Sequence, residues 1–169
     1  GKYQHGLPQG TWGWFCDDGR THREELYRKG REDGASGELD EEGGIIVQGD
    51  YIDGRKDGRW FYKVGDHQEA GLYKDGLKEG EWVYSYDNGR KYFVGAFVNG
   101  EPDGKHKWYY ANGKPKLEGR YSMGLQQGDF THYNEQGIPI TVVKFRDGAE
   151  IKIDGEKIPA PYHFDEVTP

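Results

Sequence analysis

Aliphatic side chains are in short supply in this sequence: hydrophobic residues make up 33% of it, and its mean hydropathy is -1.04. That shortage excludes a thick Leu/Ile/Val core. Cys16 is the single cysteine, which excludes an internal disulfide framework and a cysteine-based zinc site. No apolar run approaches the ~20 residues that a bilayer-spanning helix needs. Positive charge is outnumbered as well: the net charge is -7 and the pI near 5.4. The one basic cluster, Arg20, Arg23, Arg28, Lys29 and Arg31, is followed by Glu38, Asp40, Glu41 and Glu42. Phosphate backbones require a basic stripe to release counterions, so nucleic acid is not an expected partner.

What the chain has instead is five Trp, thirteen Tyr, seven Phe and 28 glycines over 169 residues, placed periodically. Large rings remove more area from water than aliphatic side chains do, so apolar burial must come from them. Their regular placement argues against disorder. The clearest unit runs from Gly71-Leu72-Tyr73 through Gly76, Gly80, Trp82, Tyr84 and Tyr86 to Asn88-Gly89. Units of about 24 residues start near 1, 25, 49, 71, 95 and 119, with a partial one from Val143. A period of this length indicates a repeat array, and arrays present surfaces more often than reaction centres.

Within a unit, Gly71–Lys74 and Glu81–Tyr86 alternate in character and read as strands, the second placing Trp82, Tyr84 and Tyr86 on one face. Asp75-Gly76 and Asp87-Asn88-Gly89 supply the positive φ of tight turns. The expected fold is therefore all-β: about seven 24-residue β-hairpin repeats forming one elongated, twisted, largely single-layer antiparallel meander sheet. Residues 1–145 form the array; 146–169 form a partial repeat, a cap strand over Ile151–Ile158 ended by Pro159 and Pro161, and a tail. The Tyr and Trp positions are nine apart in every unit, which suggests that they face each other, with Gly71 opposite Tyr84 and Gly95 opposite Trp108.

Two units depart from the pattern. Ser36, Glu38 and Asp40 replace the second unit's rings, so its second strand is expected to be an exposed loop. Two residues are missing near Val64-Gly65-Asp66-His67, which should tighten that turn. The chain opens at Gly1 inside a unit, so we expect a fragment or processed product.

The pattern Gly-x-Tyr-x-x-Gly-x-x-x-Gly-x-Trp-x-Tyr-x-Tyr-x-x-Gly, as in Gly71 to Gly89, resembles the MORN-repeat variant of bacterial YwqK-type antitoxin component proteins, over about residues 1–148. The resemblance implies a hairpin array that mediates protein–protein contacts, binding or neutralising a partner, in exported or lipid-anchored proteins of the bacterial cell envelope, with the cytoplasm as the alternative. It implies no catalytic residue. Related repeats are associated with membrane lipids, for which this chain lacks a basic surface.

The residues themselves point to no chemistry. His5, His22, His67, His106, His132 and His163 lack zinc-ligand spacing, and His106 and His132 stand at ring positions and read as packed rings. The Asp-Gly pairs lack the alternating ligands of a calcium loop and read as turns. Glu38, Asp40, Glu41 and Glu42 read as a solvated acidic segment, not a catalytic carboxylate pair. Cys16 reads as a small residue at a strand end. No catalytic, metal or cofactor site is expected. The candidate binding face is the ring set Trp12, Trp14, Tyr62, Tyr84, Tyr86, Trp108 and Tyr110, for a protein partner or, as the alternative, a glycan stacked on Trp and Tyr.

Overall fold

The computed structural model describes residues 1–157. They form fifteen strands in one antiparallel sheet whose spatial order follows the chain. The strands are β1 (Lys2–Gln4), β2 (Leu7–Phe15), β3 (Thr21–Arg28), β4 (Arg31–Leu39), β5 (Ile45–Ile52), β6 (Arg55–Val64), β7 (His67–Lys74) and β8 (Leu77–Tyr86). They continue with β9 (Lys91–Val98), β10 (Glu101–Tyr109), β11 (Pro115–Ser122), β12 (Leu125–Tyr133), β13 (Pro139–Arg146), β14 (Ala149–Ile153) and β15 (Glu156–Lys157). The sheet is an open meander, since β1 and β15 do not pair. No helix long and apolar enough to cross a membrane occurs among the described residues.

Turn chemistry sets the meander. At Asp75-Gly76 both residues have positive φ, 51° and 83°, the geometry that joins two strands through two residues without splaying them. The Gly76 N–H then donates to the Lys56 carbonyl of the preceding hairpin at 2.8 Å, and Gly30, Gly54, Gly100, Gly124 and Gly148 do the same in their units. At the other end of the hairpins the turns are longer. In Tyr86–Arg90, the Gly89 N–H donates to the Tyr86 carbonyl and the Arg90 N–H to Asn88 Oδ1. The shortened unit closes through two residues, Val64 pairing with His67.

The register differs from the sequence expectation by two residues. Glu69 pairs with Tyr84 and Phe93 with Trp108, whereas Gly95 pairs with His106. The cause is a bulge inside every complete hairpin from β3 onward: between the pairs Ala70↔Val83 and Leu72↔Glu79, Gly80, Glu81 and Trp82 stand opposite the one residue Gly71. Such an insertion bends the strand and turns its side chain inward. The Trp82 indole therefore lies on Gly71, so close that a Cβ there would sit 2.3 Å from the ring. Gly49 under Trp60, Gly119 under Phe130 and Gly1 under Trp12 repeat the arrangement. The Tyr and Trp positions do touch, diagonally across the bulge, edge to face at centroid distances of 5.0 Å (Tyr51–Trp60) and 5.1 Å (Tyr73–Trp82).

The buried apolar set is Trp60, Trp82, Phe93, Phe130 and Phe145. Where polar atoms are buried with it they are mostly satisfied: Trp60 Nε1 donates to the Asp50 carbonyl and Trp82 Nε1 to the Leu72 carbonyl. Trp12 Nε1 is the exception, buried without a partner among the described residues.

The second unit is not a loop: β4 is a regular strand, half-buried at Ser36 and Glu38. Its ladder survives because Glu25, at the position of the repeated glycine, fills the space that Ser36 leaves at the position of the Trp. Glu25 is buried, accepting from the Tyr27 hydroxyl at 2.7 Å and from the Arg23 guanidinium. At the C-terminal end, the expected single strand is divided by the turn at Asp154-Gly155 into β14 and β15, and Ile158, Pro159 and Pro161 lie outside the described residues. Of the two ring-position histidines, His106 is buried and His132 is exposed.

Candidate functional site

Register fixes which side chains share a face. One row crosses the sheet as Trp14, Arg23, Glu38, Val47, Tyr62, Glu69, Tyr84, Phe93, Trp108, Leu117 and His132, each paired with the next. Trp14, Tyr62, Tyr84 and Trp108 of the candidate set stand on it, and Trp12 stands on the adjacent row. None of the candidate set is fully buried, in contrast to Trp60 and Trp82 beneath the bulges.

Three of the candidates converge. Phe93 lies 4.7 Å from Tyr84 and 5.2 Å from Trp108, centroid to centroid, and Tyr92 joins Tyr84 and Tyr86 at 5.8 and 5.1 Å. Phe93 and His106, both buried, floor a hollow of roughly 340 Å³, walled by Tyr84, Tyr92, Phe97, Pro102, Trp108 and Tyr121. The other candidates lie apart. Tyr62 stacks on Trp60, one strand pair away across Glu69. Trp12 and Trp14 belong to the β1–β3 end, where the Arg23 guanidinium covers Trp14. Tyr110 donates its hydroxyl to the Tyr133 carbonyl, toward β12.

Burial sets the charge state of this face. It pushes the Tyr84 and Tyr92 hydroxyls up to about 12 and Tyr62 upward too, so all three stay neutral at physiological pH. It lowers His106, whose Nε2 lies 2.8 Å from the Ala96 carbonyl. A carbonyl only accepts, so Nε2 carries the proton, and His106 reproduces the N–H bond that Trp60 and Trp82 make. Burial, then the charge of Lys78, lowers Lys56.

A larger concavity, about 590 Å³, lies over the bulges of β5–β8. Its Gln48, Asp50, Arg59, Phe61, Leu72 and Glu81 alternate along their strands with the ring-bearing residues and belong to the opposite face. Cys16 lies just past the end of β2, with its N–H on the Arg20 carbonyl. No group of three or more His, Cys, Asp or Glu among the described residues is placed to hold a metal ion.

Sequence reasoning missed Tyr92, Phe93, Lys56, Lys78 and Glu25. Phe93 stands two before the repeated glycine, where the other units carry Arg23, Val47, Glu69 and Leu117, so it has no periodic signal. The Glu25/Ser36 exchange was readable, since a large side chain at a glycine position coincides with a small one at the Trp position. No family model matches the chain, and no curated protein matches it either.

Proposed function

We propose that this chain is a non-catalytic protein-binding repeat module that docks a partner on its ring face, centred on the hollow between β8 and β11. The observation that carries the reading is the hollow itself. An open concavity walled by Tyr, Phe and Trp on a rigid sheet has the composition of an interaction hot spot. The resemblance of the Gly71–Gly89 pattern to the MORN-repeat variant supports the same class and suggests a bacterial, envelope-associated setting. Glycan capture is the weaker reading, because it needs flat ring faces open to a sugar. Trp14, Trp60 and Trp82 carry a cation over the ring, from Arg23, Lys56 and Lys78.

The test is site-specific photocrosslinking, with a photoreactive phenylalanine at position 108 on the ring face or at position 61 on the reverse. A partner that crosslinks from 108 and not from 61, and whose capture drops at least tenfold on Trp108→Ala with the melting transition retained, supports the reading. Capture through position 61 alone, or capture indifferent to Trp108→Ala, refutes it.

A further inference from the structure

One position in each unit, four residues before the Trp position, colours the ring face. It is Pro8, Glu32, Lys56, Lys78, Pro102 and Gln126 in successive units, so the two lysines are neighbours. Each is held the same way. Lys56 Nζ donates to the Tyr62 hydroxyl at 2.6 Å and sits over Trp60 and Tyr73, 4.6 and 5.2 Å from their centroids. Lys78 Nζ donates to the Tyr84 hydroxyl at 2.8 Å and sits over Trp82 and Phe97, at 4.0 and 5.4 Å.

Neither ammonium has a carboxylate partner among the described residues, although Lys107, Lys144, Arg20, Arg23 and Arg28 all do. Glu69, which stands between their hydroxyl partners Tyr62 and Tyr84 and pairs with both, is turned to His67, 3.3 Å away. Two like charges, half-buried and adjacent, are thus held by rings and neutral hydroxyls in a chain of net charge -7. Rings and hydroxyls leave N–H groups of each ammonium uncommitted, and an anion settling there gains attraction from both lysines in a partly desolvated place. Tyr84 and Phe97, which frame Lys78, are also walls of the aromatic hollow, so the cationic pair and the apolar hollow are continuous.

We infer that this face receives an acidic, ring-bearing segment of a partner protein, its carboxylates on Lys56 and Lys78 and an adjoining aromatic side chain in the hollow beside Tyr84, Phe97 and Trp108. The inference rests on the docking role proposed above and names its ligand chemistry. A peptide is favoured over a sugar because the cations already occupy the Trp60 and Trp82 faces. Lys56 and Lys78 hold matching places on β6 and β8, two strands apart. That is roughly 10 Å, the span of three residues of polyproline-II-like peptide, in which every third side chain falls on one face.

The test uses a fluorescein-labelled ten-residue peptide with two glutamates three positions apart followed by a phenylalanine, a second with both glutamates replaced by glutamine, and fluorescence anisotropy at low salt. The acidic peptide is expected to bind saturably and at least tenfold tighter than the glutamine peptide, and to weaken steeply with salt. Lys56→Gln with Lys78→Gln should abolish that preference, Lys56→Arg with Lys78→Arg should restore most of it, and Lys144→Gln should change affinity less than twofold. Melting curves of each variant exclude unfolding as the cause. Equal affinity for the two peptides, or indifference to the double Lys→Gln change, overturns the inference. If that peptide binding still depends on Trp108, the docking reading stands; if neither peptide binds and partner capture ignores Trp108→Ala, both fall. Tighter binding of polygalacturonate, or of phosphatidylserine vesicles, than of the acidic peptide overturns it in favour of a sugar or a membrane.

Discussion

Restoring the repeat pattern in the second unit tests whether glycine and indole form one unit of packing. In the regular units a Cβ on the glycine would lie 2.2 Å from Trp60 or 2.3 Å from Trp82, so the two positions exclude each other's growth. Unit two exchanges the volumes, with Glu25 in the glycine place and Ser36 in the Trp place, directly paired. Ser36→Trp alone forces an indole into space held by the buried Glu25 side chain and pulls the carboxylate from Tyr27 and Arg23. Overpacking costs about 1–3 kcal/mol and a lost buried bond as much again, so the net loss is about 2 kcal/mol or more. Glu25→Gly alone strips Tyr27 of its acceptor and leaves a gap, also about 2 kcal/mol. Together the changes rebuild the regular unit: an indole burying about 200 Å² recovers up to about 5 kcal/mol gross, and its N–H faces the Leu26 carbonyl, the counterpart of the Asp50 and Leu72 carbonyls. The double variant should lie within about 1 kcal/mol of the parent, a coupling of about 3 kcal/mol. Because arrays open unit by unit, the assay is native-state hydrogen exchange of β3–β5 amides together with urea midpoints. Additivity within about 0.5 kcal/mol would refute the idea that the two positions share one volume.

Three further outcomes follow from the same geometry. Gly71→Ala should cost about 3 kcal/mol by displacing the fully buried Trp82, whereas Gly89→Ala, at φ 79° with open space around it, should cost about 1 kcal/mol; urea midpoints compare them. His106 is lowered by burial, so the folded state holds its proton less tightly than the unfolded one: its contribution is present above the ordinary value of 6.5 and is lost as pH falls through the folded value. Urea midpoints at pH 7.5 and 5.0 should therefore fall more in the parent than in His106→Phe. Asp103→Ala removes the Oδ2 acceptor of the Met123 N–H, and that amide should exchange several-fold faster with little change in global stability.

The meander was legible because its signals are local and repeated. Asp75-Gly76 and Asn88-Gly89 specify turns, alternation in Glu81–Tyr86 specifies a strand, and repetition specifies neighbours. Register was not legible to the same depth, because a straight hairpin was assumed where Gly80–Trp82 bulge opposite Gly71. A signal existed: Gln9, Asp33, Asp57, Glu79, Asp103 and Gln127 each precede the glycine at the position of Gly80, and Glu79 Oε2 accepts the Asn99 N–H of the next turn at 3.0 Å. The role of that acceptor becomes visible only once the hairpins stand side by side. The loop expected at Ser36, Glu38 and Asp40 failed for a different reason, since β4 runs as a strand through Leu39. A strand between two paired neighbours is held by its ladder, so losing an apolar face did not unmake it.

The ring face shows where periodic reasoning stops. Tyr84 and Trp108 repeat and could be chosen from the pattern, but what joins them is Phe93, which does not repeat. Phe93 fits there because its neighbour Gly95 carries His106 and not Trp: a Cβ on Gly95 would meet the Phe93 ring at 2.3 Å and the imidazole at 2.7 Å, so two smaller rings share the place of one indole. Glu25 with Ser36 and Phe93 with His106 are thus the same physical event. A lost indole is refilled by a side chain from a neighbouring strand, and each refilling creates a local chemistry the other units lack. In an array whose scaffold is repeated, specificity has to come from such exceptions, and the hollow sits at one of them. A His106→Trp change should therefore overpack against Phe93, costing about 1–3 kcal/mol and filling the hollow from below. Phe93→Val, which supplies the Val47 counterpart, should relieve it. If the double variant recovers stability yet no longer binds at the ring face, the hollow owes its existence to the exchange; recovery of both would show that the walls alone suffice.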